Sequence, residues 1–162
     1  MQPKILESGN ELPPGLDDVD LKLLAELQRN GRATYAELAA AVGLKPPGTH
    51  DRVRRLEERG VIQGYGARLD DRQLGVGLVA FISCFTTADE RPDAFVADVS
   101  ALPEVAEIHS VAGDESYILK VLTRSTTHLD ELITRVKSVP GVLRTKTTVV
   151  LSTPFARVGL PL

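Results

Sequence analysis

The sequence contains little of what metal sites, disulfides and membrane spans require. Cys84 is the only cysteine among 162 residues, which excludes an intrachain disulfide and a cysteine-rich zinc site. His50, His109 and His128 are far apart and form no metal-binding pair, so we expect neither a metal nor another cofactor. The first twenty residues show no basic stretch leading into an apolar run, and nothing approaches the roughly 18 apolar residues of a membrane span. We therefore expect a cytoplasmic protein.

The chain also lacks an excess of positive charge. It carries 19 basic and 22 acidic residues, for a formal net charge of −3. Overall charge therefore gives no argument for nucleic-acid binding, and only a local basic surface could support one. Cys84 lies in the apolar run LVAFISCF, which favours a buried structural thiol over a reactive one.

Two helices are predicted after an N-terminal arm, residues 1–15, that shows no apolar period. The first helix follows Asp17 as N-cap, with Asp20 at the capping-box position. In the second, the Thr34 hydroxyl can accept from a free N–H group while Glu37 reaches back to the cap. The apolar residues of the first helix recur at helical spacing: Leu16, Val19, Leu23, Leu24 and Leu27.

A third helix is predicted to begin at Pro46, because a proline pair is tolerated only in the first turn of a helix. It should end near Arg59, before Gly60. Its inward seam is predicted to consist of Thr49, Val53 and Leu56. Three such helices with a tight turn form a helix-turn-helix pattern, and the glycine-bearing segment VIQGYGARLD suits a short wing hairpin.

The outward face of the third helix is locally basic. Residues 44–55 hold four basic residues and one acid, a local charge of +3. Arginine forks match phosphates and guanine edges, so we predict that this face binds double-stranded DNA. The predicted DNA-binding residues are Lys45, Pro47, Gly48, His50, Asp51, Arg52, Arg54 and Arg55. The alternative is a solvated helix with ion pairs such as Arg54 to Glu58, which the helix-turn-helix context disfavours.

A second domain is predicted after a polar, glycine-bearing linker at residues 70–77. Apolar patterns over 78–152 alternate strand, helix, strand, strand, helix and strand. An internal repeat supports this order, since DAFVADVSALPEV at 93–105 matches DELITRVKSVPGV at 130–142 with a constant offset. Two such units give the ferredoxin-like βαββαβ arrangement and an α+β class overall. Its uncovered sheet face is expected to pack on another copy.

Several segments together resemble the Lrp/AsnC, or feast/famine, family of transcription regulators. They are LDDVDLKLLAELQRNGR, YAELAAAVGL, RVRRLEERGVIQGYGARLD, ALPEV, VAGDESYILKV and VPGV. The resemblance implies an N-terminal winged helix-turn-helix domain at 16–69 and a ferredoxin-like domain at 78–152 that dimerises and often forms octamers. A C-terminal tail at 153–162 lies outside the resemblance. In such regulators a small molecule, typically an amino acid, alters assembly or DNA binding.

The resemblance also implies an effector site. Carried over by position, it comprises Gly113, Asp114, Glu115, Ser116, Tyr117, Thr145 and Thr147. Exposed N–H groups of a glycine turn can hold a carboxylate and an acidic side chain can hold an ammonium group. From the residues alone, GDES indicates a hairpin turn.

Two positions depart from the family pattern. Lys45 precedes Pro46 where relatives often have serine, so the usual N-cap hydroxyl is missing. Asp51 places an acid on the predicted reading face, where it repels phosphate but can accept from a cytosine amino group. Two other functions fit the fold: a decarboxylase-like enzyme and an oligomeric sensor without DNA contact. No acid/base or nucleophile constellation supports an enzyme, so we expect none.

Overall fold

The computed structural model describes residues 14–87, 91–157, 159, 160 and 162. The expected N-terminal arm therefore lies outside the described residues, apart from Pro14 and Gly15. The chain divides into two compact units. One contains residues up to 68 together with 155–162, and the other contains 69–154. Most of the segment assigned to a separate tail thus belongs with the first unit.

The first unit is built on three helices: α1 (Asp18–Arg29), α2 (Tyr35–Val42) and α3 (Pro46–Glu58). Their core centres on Leu23, Leu38 and Val53, one residue from each helix. The other two predicted seam residues of α3, Thr49 and Leu56, are also buried. Each helix therefore turns its apolar stripe towards the other two, as the spacing of apolar residues predicted.

Both predicted capping boxes are present. The Asp20 backbone N–H donates to Asp17 Oδ1 at 2.9 Å, and the Glu37 side chain accepts from the Thr34 backbone N–H at 2.7 Å. These bonds satisfy N–H groups that have no partner inside the helix. Lys45 provides no side-chain cap to α3, as the sequence predicted.

The expected wing hairpin is absent from the single chain. Residues 63–70 are all described and contain no strand. Gly64 and Gly66 weaken any strand there, and an isolated two-stranded hairpin is at best marginally stable. Tyr65 instead donates its hydroxyl to Glu57 Oε1 at 2.9 Å, which ties the segment to α3.

The second unit is a four-stranded antiparallel sheet with two helices. The strand order is β2-β3-β1-β4, the ferredoxin-like order. The elements are β1 (Leu78–Thr86), α4 (Pro92–Ser100), β2 (Val105–Ser110), β3 (Tyr117–Thr123), α5 (Thr126–Lys137) and β4 (Val142–Val149).

The internal repeat is visible as the same turn made twice. The Val105 N–H donates to the Leu102 carbonyl at 3.0 Å, and the Val142 N–H donates to the Val139 carbonyl at 3.2 Å. Both pairs differ by the repeat offset, and each turn passes the chain from a helix to a strand. The repeat in the sequence therefore corresponds to a repeat in the backbone.

The two faces of the sheet differ in cover. The helix-covered face and the helices share a core that includes Ile82, Leu119, Phe95 and Leu132. Val96 of α4, next to the buried Phe95, is 41% exposed. The opposite face carries Val79, Phe81, Phe85, Ile118 and Leu122 by strand register and alternation. Phe81 is 38% exposed there, so the single chain leaves apolar surface uncovered.

Cys84 lies on the helix-covered face and is fully buried. Burial raises the pKa of its thiol to about 11, because a thiolate would be poorly solvated there. The prediction of a structural thiol is confirmed.

Glu104 ties the turn before β2 to α5. Its Oε1 atom pairs with His128 Nε2 at 2.8 Å and accepts from Arg135 Nη2, while Oε2 is buried without a partner among the described residues. Burial raises the pKa of Glu104, but the hydrogen bonds from Arg135 and His128 and the charge of Arg135 outweigh it, so the pKa lies below its usual value. The folded state therefore favours the carboxylate.

Replacing Glu104 by glutamine is expected to lower the free energy of unfolding by about 2 kcal/mol at pH 7. A carboxyl with a lowered folded-state pKa stabilises the fold above its usual value of 4.5, and this stabilisation is lost as pH falls through the lower folded-state value. The difference between wild type and Glu104→Gln should therefore shrink below about pH 4.5. Urea titrations at pH 7 and pH 4 measure it, with exposed Glu131→Gln as control. An equal difference at both pH values would contradict the linkage.

Candidate nucleic-acid interface and ligand site

The predicted DNA-binding residues lie on or next to one exposed face of α3. Seven of the eight are exposed: Lys45, Pro47, Gly48, His50, Asp51, Arg54 and Arg55. The buried seam of α3 occupies the opposite side, so this face is open to a partner. Arg52 is the exception and is described separately below.

The first turn of α3 allows a close approach of the backbone. Pro46 and Pro47 have no N–H group, which leaves Gly48 with the first N–H at this end of the helix. A Cβ atom built on Gly48 would meet nothing within 4 Å. Lys45 adds a flexible cation beside this opening, so the turn can accommodate a phosphate.

His50 contacts Tyr35, a residue that sequence reasoning did not select. Their rings meet edge to face, with centroids 4.9 Å apart. Tyr35 begins α2 and is itself exposed, so the open surface of α3 extends onto the start of α2. No local pattern indicates this contact, because it depends on how α2 packs against α3.

Arg54 forms the ion pair that is expected if α3 is a solvated helix. Its Nε atom lies 3.4 Å from Glu58 Oε1, one turn further along α3. Both side chains are well exposed, and an exposed pair of this kind contributes at most about 1 kcal/mol. The pair therefore leaves Arg54 available to a stronger partner such as a phosphate.

Arg52 is held inside the first unit. Its Nη1 atom donates to Asp17 Oδ2 at 2.7 Å and to Asp20 Oδ1 at 2.8 Å. These bonds, that to Asp17 first, raise the pKa of Arg52. The pKa of Asp17 is lowered, first by the Asp20 N–H and then by Arg52. Arg52 thus links α3 to the start of α1, and its contact with DNA stays a prediction.

The predicted ligand turn connects β2 to β3. The Ser116 N–H donates to the Cys84 carbonyl at 2.9 Å, and the Thr86 hydroxyl donates to Ser116 Oγ at 2.8 Å. Gly113 and Asp114 project from the turn and are exposed. The base of the turn is therefore anchored to β1, while its tip can contact a ligand.

Tyr117 and Thr145 occupy one row across the sheet. Cys84 of β1 pairs with Tyr117 of β3 on one side and with Thr145 of β4 on the other. Two strand spacings, roughly 10 Å, separate the two residues. Thr147 lies two residues further along β4, opposite Ile82. The single chain thus does not bring the turn and the two threonines into contact.

A hollow of about 400 Å³ adjoins the turn. It is lined by Pro92, Asp93, Val96, Ala97, Ser110 and Tyr117. The Phe95 ring stacks on the Tyr117 ring, with centroids 4.2 Å apart, and so helps to hold Tyr117 in place. Asp93 and Val96 were not among the predicted site residues, and their place beside Tyr117 depends on how α4 packs on the sheet.

Comparisons with known proteins match both units. A family model for winged helix-turn-helix DNA-binding matches residues 16–63, and the model of the Lrp/AsnC ligand binding domain matches residues 79–160. The HTH-type transcriptional regulator LrpA of Mycobacterium tuberculosis is 42% identical over 141 residues, which cover 87% of this chain and 93% of the relative. The chain belongs to the Lrp/AsnC family.

Solved structures of relatives are similar to this chain. A feast or famine regulatory protein from M. tuberculosis, complexed with L-methionine, has a TM-score of 0.83 and 41% identity, covering 90% of this chain and 99% of that one. A transcriptional regulator of Neisseria meningitidis, also an L-methionine complex, has a TM-score of 0.86 and 30% identity, covering 90% and 96%. Both have the fold described above.

Family membership confirms the predicted class of protein. The first unit is confirmed as a domain of the winged helix-turn-helix type, although the single chain forms no wing hairpin, and the ferredoxin-like domain is also confirmed. The chain is a DNA-binding transcriptional regulator. None of the helices in the described part of the chain is long and apolar enough to cross a membrane. Within those same residues, no cluster of three or more His, Cys, Asp or Glu side chains could hold a metal ion.

Proposed function

We propose that this Lrp/AsnC regulator reads its operator with the exposed face of α3. Arg54 and Arg55 supply charge and hydrogen-bonding forks to phosphates or guanine edges. Lys45 and the Gly48 backbone N–H hold a phosphate at the first turn of the helix. The observation that carries this proposal is the exposed basic face over a buried seam, on the helix that the family uses in its DNA-binding domain.

His50 and Asp51 would determine sequence preference. His50 is oriented by Tyr35 and can donate to or accept from a base edge. Asp51 is exposed near the centre of the face, where a carboxylate repels phosphate and accepts from a cytosine amino group. Arg52 holds α3 in place through Asp17 and Asp20. In this proposal it acts by positioning the helix.

The open sheet face would form the contact with a second copy. Phe81 is exposed there, its apolar neighbours are half-buried, and Arg144 stacks over the Phe85 ring at 3.3 Å. A two-fold dimer would bury this surface and present two reading heads, which raises affinity because more phosphates are contacted. Further association into an octamer, as the family resemblance implies, would add more DNA-binding units and so more phosphate contacts. We place this assembly in the cytoplasm.

The turn at Gly113 to Tyr117 would bind an amino-acid effector. The exposed N–H groups of Gly113 and Asp114 suit a carboxylate, and Glu115 or Asp93 suits an ammonium group. Because β1 separates Thr145 and Thr147 from the turn, a ligand that contacts all of them must lie between copies of the chain. Two Lrp/AsnC relatives with this fold form L-methionine complexes, which supports an amino acid as the ligand.

A thermal-shift screen of the twenty amino acids tests the effector site. A ligand present at 100 times its Kd stabilises the folded state by about 2.7 kcal/mol, so the expected rise in Tm is about 5 °C for the correct amino acid. Replacing both Asp93 and Glu115 by their amides should reduce the rise, because it removes the carboxylates proposed for the ammonium group, whereas exposed Asp130→Asn on α5 should not. A screen in which no amino acid shifts Tm would contradict an amino-acid effector and leave DNA binding unaffected.

The two alternative functions are less well supported. A sensor without DNA contact leaves the basic face of α3 unexplained. For a decarboxylase-like enzyme, His109 would be the histidine nearest the ligand turn along the chain, but it lies on the open sheet face and pairs with Glu107 at 3.0 Å. We propose a regulator without enzymatic activity.

A further inference from the structure

An apolar groove runs along the first unit between α1 and the segment that follows α3. Its walls are formed by Leu24 and Leu27 on α1 and by Ile62 and Tyr65 after α3. The groove encloses about 670 Å³. A cavity of this volume would suit a drug-sized ligand.

Residues 159, 160 and 162 lie in this groove, and Gln28 holds them there. The Leu160 N–H donates to Gln28 Oε1 at 2.5 Å, and Gln28 Nε2 donates to the Leu160 carbonyl at 3.3 Å. The side-chain amide thus bonds both backbone groups of one residue, as a neighbouring strand would. Leu160 and Leu162 line the groove beside this clamp.

Gly159 fits the clamp because it has no side chain. A Cβ atom there would lie 1.9 Å from Gln28 Oε1, closer than any real contact. Its φ angle of +79° is also one that L side chains rarely adopt. Both features indicate a specific seat for this segment, in contrast to a chain end that drifts over the surface.

We propose that the groove is the docking site for Gly159, Leu160 and Leu162 of the same chain, which attach the DNA-binding unit to the rest of the chain a second time. The chain leaves the first unit after residue 68 and returns to it at residue 155. Docking therefore gives the first unit two connections to the second unit, where an undocked segment would leave one. The second connection follows β4, the strand that carries Thr145 and Thr147. It would therefore restrict movement of the DNA-binding unit.

We assign the segment in the groove to the same chain because the segment and the groove are covalently linked. Residue 155 is covalently linked to β4 only a few residues away, which keeps the segment at high effective concentration near the groove. The same segment from a second copy is the competing occupant. The docking does not depend on the proposed DNA contacts or on the effector, and its test uses neither ligand.

Hydrogen exchange of the full chain tests the docking. The Leu160 amide should be protected in the wild type and should exchange roughly tenfold faster in Gln28→Leu and in Gly159→Ala, since each loses the clamp. Gly75→Ala is the matched control, because Gly75 has a similar φ of +73° and no atom within 4 Å of a built Cβ. A Leu160 amide that exchanges at the unprotected rate, or at the same rate in all four proteins, would overturn the proposal.

Crosslinking identifies the chain that supplies the segment. Gln63→Cys and Leu160→Cys place two thiols along the groove, while the native Cys84 is buried and reacts slowly. A short bismaleimide should link the two thiols within one chain. The crosslinked species then migrates as a monomer on a denaturing gel, and neither single variant can form this link. A dimer band would assign the groove to a second copy, and the absence of any product would count against docking.

Discussion

Replacing both Arg54 and Arg55 by alanine is expected to weaken binding to DNA at the protein's own promoter by about 100-fold or more. Each arginine that contacts a base or a phosphate contributes about 1–3 kcal/mol to binding. Both side chains are exposed on the face of α3 opposite its buried seam, so their loss should not unfold the first unit. Gel-shift titration at two salt concentrations measures the affinity, and fewer phosphate contacts should make its salt dependence shallower.

A matched control for this pair is available on α1. Arg29 is exposed and pairs with Glu26 one turn away, as Arg54 pairs with Glu58. Arg29→Ala therefore removes the same kind of surface ion pair outside α3 and should leave DNA affinity unchanged. Sedimentation velocity should show the same assembly for all variants. Unchanged affinity of the double variant would mean that another surface reads the DNA.

Local sequence signals predicted the helices of the first unit well. Capping depends on a few neighbouring residues, so Thr34 and Glu37 identify the start of α2 without knowledge of its surroundings. The proline pair similarly located the start of α3. The wing was predicted from β-prone residues around Gly64 and Gly66, but a hairpin also needs tertiary support, which no local pattern reports.

The order of strands in the second unit was also predictable, because the internal repeat is itself a local signal. Each copy pairs a helix with a following strand, and two copies indicate the ferredoxin-like order. The role of individual polar residues was less accessible. The charge pattern placed Arg52 on the DNA-binding face, whereas its pairing with Asp20 across 32 residues depends on how α1 and α3 pack.

Loss of the Arg52 guanidinium is expected to destabilise the first unit by about 2–4 kcal/mol, because Asp20 would remain buried without its cation. Asp20 is only 7% exposed, whereas the Arg52 side chain is 24% exposed and bridges it to Asp17. Arg52→Met retains much of the side-chain packing and removes the charge. Asp20→Asn/Arg52→Met removes both charges and should recover part of the loss, since no buried charge remains unpaired. Urea unfolding of the three proteins measures these differences.

The salt dependence of DNA binding separates this positioning role from a direct phosphate contact. At a temperature where Arg52→Met is still folded, loss of a phosphate contact would make the slope of log affinity against log salt shallower by about one unit. If Arg52 acts by holding α3 against α1, the slope should stay that of the wild type, and affinity should fall only as far as α3 is displaced. A shallower slope in Arg52→Met, with normal stability, would instead assign Arg52 to the DNA-contacting face.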